Sequence, residues 1–94
     1  MTTFIIERDI PEIGTADREA LRGAAAKSNE VLAELTAEGK PVKWVHSYVA
    51  DNKTFCVYET EDAAYIDEHA QRSGFPATKV TAISKVISPA TADG

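Results

Sequence analysis

Residues 42–59 read Val-Lys-Trp-Val-His-Ser-Tyr-Val-Ala-Asp-Asn-Lys-Thr-Phe-Cys-Val-Tyr-Glu. Two runs rich in β-branched and aromatic residues, 42–49 and 54–59, flank Asp51-Asn52, a pair whose short polar side chains suit a turn. The segment therefore reads as a β-hairpin, and the rest of the chain arranges itself about it. Simple alternation puts Trp44, His46 and Tyr48 on one side of the first arm and Val45, Ser47 and Val49 on the other. An even-length turn centred on Asp51-Asn52 sets His46 opposite Val57, Tyr48 opposite Phe55 and Trp44 opposite Glu59. An odd-length loop would bring Cys56 and Tyr58 to that side instead, because a slip of one residue turns every side chain over.

Upstream, residues 3–8 (Thr-Phe-Ile-Ile-Glu-Arg) read as a strand that Pro11 and Gly14 break. Thr15 is placed to cap a helix over 16–38, with Asp17 and Glu19 in its first turn. Leu21, Ala24, Ser28, Val31 and Leu35 recur there at spacings of three and four, and Gly39 and Pro41 end the pattern. Downstream, Thr60 is placed to cap a helix over 61–72 that stops at Gly74. Residues 79–87 read as a last strand, so one domain spans 1–88 and a small polar tail, 89–94, is expected to fray. The order is β-α-β-β-α-β. That pattern predicts an α+β, ferredoxin-like sandwich: a four-stranded antiparallel sheet with both helices on one face, because crossover connections are right-handed. The other face is left bare, and a second copy of the chain, as in dimeric α/β barrels, is the simplest cover for it.

Composition fits one small soluble domain. The chain has 94 residues, 44% of them apolar, which is enough for a core without help from metal or disulfide. The single cysteine, Cys56, excludes an internal disulfide and points to a reducing compartment. The N-terminus lacks the basic and apolar regions of a signal peptide, and no apolar run approaches the ~20 residues that span a bilayer. A cytoplasmic protein with no membrane partner is expected. The net charge of −5, with Lys and Arg scattered, argues against nucleic acid.

Several stretches together resemble a bacterial and archaeal family of unknown function. They are Trp44-Val45-His46-Ser47-Tyr48-Val49, Phe55-Cys56-Val57-Tyr58, Glu68-His69-Ala70 and Gly74-Phe75-Pro76-Ala77. Ile6-Glu7-Arg8, Pro11 and Ser28-Asn29 are similar to it too. The resemblance implies a small ferredoxin-like homodimer, and some members are described as nickel-binding.

Chemistry-bearing residues are few. Glu7 is the polar residue in the middle of the first strand, which should lie beside the third. A carboxylate there needs a partner or solvent. Glu7 could share the open face with Trp44, His46 and Tyr48, a set that suits a small polar ligand or one divalent metal held by His46 and Glu7. An ion pair of Glu7 with Lys43 or Lys85, a structural His46, and aromatics that only pack across a dimer are the plainer readings. Ser28 falls on the apolar stripe of the first helix. His69, late in the second, can turn inward, cap the helix end, or reach a pocket rim with Ser28 and Asn29. Cys56 is expected to be buried and inert. No CxxC, HExxH, GxGxxG or P-loop is present.

The residues predict a binding protein for a small ligand or a divalent metal such as nickel, acting at the open face of a homodimer. One alternative is a cofactor-free enzyme (monooxygenase, isomerase or lyase) with His46 as acid-base group, Tyr48 as donor and Glu7 orienting the imidazole. The other is a pure dimerisation module.

Overall fold

The computed structural model describes residues 1–94. Strand β1 (Thr2–Asp9) leads through a short 3-10 turn (Ile13–Thr15) into helix α1 (Arg18–Ala37). The hairpin β2 (Val42–Val49) and β3 (Lys53–Thr60) follows, then helix α2 (Ala63–Ser73) and strand β4 (Lys79–Ile83). The sheet is antiparallel with order β2-β3-β1-β4, the ferredoxin-like arrangement, and β1 lies between β3 and β4. No helix is long and apolar enough to cross a membrane.

Both helices pack on the same sheet face. Val31, Leu32 and Leu35 of α1 and Ile66 of α2 form one core with Phe4 and Ile6 of β1, Val42 of β2, and Cys56 and Tyr58 of β3. Leu35, Ile6 and Ile66 are almost wholly buried, and each such side chain contributes about 1.5–3 kcal/mol. Across α2, the Arg72 guanidinium forks onto both oxygens of Glu38 at 2.7 and 2.8 Å and also reaches Glu68 at 2.9 Å. These bonds clip the end of α1 to α2 and hold both carboxyls below their ordinary range, chiefly through the bonds from Arg72 to Glu38 and from Lys40 to Glu68.

Both helix N-caps lie two residues beyond the expected ones. Asp17, not Thr15, caps α1, accepting from Ala20 N at 2.9 Å. Asp62, not Thr60, caps α2, accepting from Ala64 N at 2.9 Å. Thr60 is fully buried at the end of β3 and donates to the carbonyl of Pro41. Gly39 and Gly74 both end their helices with positive φ, as C-cap glycines do. The last strand is shorter than expected, ending at Ile83, and Pro89–Asp93 coil into a 3-10 turn capped by Ser88.

The hairpin turn is even. Ala50 N donates to Lys53 O, so Asp51-Asn52 is the two-residue loop. His46 faces Val57 and Tyr48 faces Phe55, the even-turn register. Alternation fails one step further on. A β-bulge leaves Val45 as an extra residue, and Trp44 pairs with Tyr58, not with Glu59. Trp44 consequently lies on the helix-covered face, opposite to His46 and Tyr48, and packs on the core. Lys43 takes the place opposite Glu59 and pairs with it at 3.5 Å.

Candidate functional site

The bulge divides the six candidate residues between two faces of the sheet. His46, Tyr48 and Glu7 are on the open face, while Trp44, Ser28 and His69 are on or beneath the helix side.

On the open face, His46 and Tyr48 meet edge to face with ring centroids 5.0 Å apart. They border a shallow pocket of about 250 Å³ with Thr3, Ile5, Val57, Ile83 and Val86. His46 is exposed, and the ring it meets within the chain is that of Tyr48. Glu7 lies elsewhere on the face. It pairs with Phe55 in the ladder, and Phe55 pairs with Tyr48, so Glu7 and Tyr48 stand two strands, or about 10 Å, apart. His46 occupies the next row. Lys53 holds the Glu7 carboxylate at 3.3 Å and also reaches Asp9 at 3.7 Å. The plain ion-pair reading of Glu7 has the right kind of partner, but the lysine is Lys53, rather than Lys43 or Lys85. Nowhere in one chain do three His, Cys, Asp or Glu side chains converge as metal ligands. A single chain therefore does not form a complete metal site, and it does not bring Glu7 to His46 as an orienting carboxylate.

The helix-covered face holds the stronger cluster. His69, 1% exposed, turns inward, and its Nε2 lies 3.1 Å from Ser28 Oγ. Its ring stands 5.6 Å from that of Tyr58. Ser28 is on the apolar stripe of α1 because it supplies this bond, not merely to let helices approach closely. The other ring nitrogen, Nδ1, is buried with no partner. Burial, followed by the positive charge of Arg8, pushes the His69 pKa down to about 4, against a weaker upward pull from Ser28. His69 is neutral at neutral pH. Burial also raises the Tyr58 phenol, which Arg8 only partly offsets.

Arg8 ties this cluster together. It is 2% exposed. Its Nη1 donates to the carbonyls of Phe75 and Pro76 at 3.2 and 3.0 Å, and its Nη2 to Tyr58 Oη at 3.4 Å. Arg8 takes part in none of the ion pairs. It lines a cavity of about 310 Å³ between the first half of α1, the sheet and the 74–76 loop. Arg8 and Tyr58 are not among the site residues expected from the sequence. The signal was available: alternation in β1 puts Arg8 on the side of Phe4 and Ile6, and a cation on a core-facing row needs an explanation.

A family model described as "Nickel responsive protein SCO4226-like" matches residues 4–83. The chain belongs to this family. No curated protein matches the sequence. Among solved structures, the crystal structure of SCO4226 from Streptomyces coelicolor A3(2) superposes with a TM-score of 0.73 at 15% identity, covering 90% of this chain and 99% of that one. At that identity the likeness supports the fold. The description of the family mentions nickel responsiveness.

Proposed function

We propose that the chain is a nickel-responsive, divalent-metal-binding protein. In this reading it acts as a homodimer closed across the open sheet face, and His46 is the donor that each copy supplies. The observation that carries the reading is an exposed imidazole on an apolar face, in a chain of a family described as nickel responsive. Imidazole is a good ligand for nickel. Because one chain lacks three converging donors, the remaining ligands must come from a second copy or from water.

The surface favours such self-association. Tyr48 is 62% exposed and Val86 83%, beside the partly exposed Ile5, Val57 and Ile83. Around them the charges come as internal couples, Lys43–Glu59 and Lys53–Glu7. A two-fold contact must complement itself, and coupled charges around an apolar centre repel a second copy less than a field of one sign.

Calorimetric titration of nickel(II) into wild type and His46→Ala tests the metal, and sedimentation with and without nickel tests the dimer. Saturable binding that His46→Ala weakens at least about ten-fold is expected for loss of one good ligand. Equal affinity in the two proteins would remove His46 from the site, and a monomer in both conditions would remove the dimer.

A further inference from the structure

We propose that the cavity between α1 and the sheet is a second, separate site, which takes a small amphipathic carboxylate with its anionic end on Arg8. The argument begins with charge. A guanidinium that is 2% exposed is costly to hold in an apolar interior unless an anion answers it. Here two carbonyls and one phenol contact it, all neutral. Tyr58 stays protonated, since its phenol is raised by burial. His69 is neutral as well.

Donor capacity is left over. The bonds to Phe75 and Pro76 use both N–H groups of Nη1, and the bond to Tyr58 uses one of Nη2. Nε donates to no protein group, and Nη2 meets one acceptor for its two N–H groups. The Nε–Nη2 edge of this planar cation, which carries one long bond at 3.4 Å, has the fork geometry that a carboxylate's two oxygens accept.

The space matches the other half of such a ligand. The cavity, about 310 Å³, lies at the small end of the range for ligand pockets, about 300–1,000 Å³. Ile13, Leu21, Ala24, Ala25 and Phe75 supply apolar walls. Trp44 closes one side, with its indole N–H fixed on Ser47 Oγ at 2.9 Å. A phosphate would bring more oxygens and charge than one cation can answer, so a monocarboxylate with a short alkyl or single-ring body fits best. Nothing in this site uses the open face, so it stands or falls apart from the nickel reading.

Trp44 is the only tryptophan and lines the cavity, so its emission reports occupancy. The probes are octanoate and phenylacetate, each compared with its neutral primary amide. Both acids should change Trp44 emission saturably, and both amides should bind at least about ten-fold more weakly, the fold-change expected when a charge-assisted bond is lost. Arg8→Gln should weaken the acids about ten- to hundred-fold and leave the amides nearly unchanged. Because Arg8 also pins residues 75 and 76, this variant can lose its fold; Ala25→Leu, which narrows the cavity and keeps Arg8, should weaken acids and amides alike by at least about ten-fold. The proposal is overturned if acids and amides bind equally, if folded Ala25→Leu binds like wild type, or if neither acid gives saturation at millimolar concentration.

Discussion

Acid should weaken this fold through His69 before it weakens it through carboxylates. The imidazole has an ordinary pKa of 6.5, which burial and the Arg8 charge lower to about 4 in the folded chain. Between those values the unfolded chain binds a proton that the folded chain refuses. Stability therefore rises with pH across that window. The contribution is fully present above pH 6.5, falls as the pH drops toward 4, and changes no further below it. Each pH unit is worth about 1.4 kcal/mol, so the whole window holds about 3 kcal/mol, of which about 2 kcal/mol is lost between pH 7.5 and 5. With a urea slope of about 1–2 kcal/mol per molar for a chain of this size, the midpoint should fall by about 1–2 M.

The assay is urea unfolding followed by Trp44 emission at fixed protein concentration, since association would add its own stability. His69→Gln supplies the control. It removes the titrating group and keeps a polar side chain beside Ser28. Its absolute stability can be lower, but its midpoint should change much less over the same pH range. Glu38 and Glu68, held below 4.5 by Arg72 and Lys40, lose their contributions only at pH below that value, outside the comparison. If wild type and His69→Gln lose stability in parallel from pH 7.5 to 5, the neutral buried imidazole is the wrong account.

Three further outcomes are expected. Gly14→Ala should destabilise the fold by about 1–3 kcal/mol in thermal or urea unfolding, because its Cβ would stand 2.8 Å from Asp51 Cα and 2.9 Å from Ala50 O, both backbone atoms. Deleting Val45 should remove the bulge and leave Trp44 opposite Tyr58 on the helix-covered face, read as an unshifted Trp44 emission; a red-shifted spectrum would mean that the extra residue is needed to hold the indole there. Cys56, 6% exposed, should react with a thiol reagent only at the rate of local opening, and reagent consumed at the speed of an unfolded control would contradict its burial.

The fold was legible because its determinants are local. Asp51-Asn52 could only be a turn between two β-rich runs, and the C-cap glycines Gly39 and Gly74 marked where helices stop. Element order then left one arrangement of sheet and helices. The candidate site was legible in part. Ser28 and His69 stood out as polar residues at helix positions that face inward, and they do meet. Alternation places Arg8 on the core-facing row of β1, but it does not supply its partners, since its reach to the carbonyls of Phe75 and Pro76 joins residues 67 and 68 positions apart. No local pattern encodes such a contact. The partner of Glu7 was missed for a related reason: Lys53 lies at the foot of the hairpin, and only the ladder register brings it beside β1.

The bulge at Val45 is where strict alternation and this chain part, and it decides what each face can do. Without it, Trp44, His46 and Tyr48 would form one aromatic row on the open face, and Lys43 would point at the core. One extra residue resolves both problems. It returns Lys43 to the solvent side, where Glu59 meets it, and sends the indole to the wall of the interior cavity. Bulges commonly redirect a side chain next to a functional site, at the cost of a ladder bond. The redirected residue here is the largest in the chain, and its indole N–H finds Ser47 on the new side. A simple packing defect would leave that donor unsatisfied. The arrangement instead assigns imidazole and phenol to the open face and indole and guanidinium to the interior, so the two faces of one small sheet carry two different sets of polar groups.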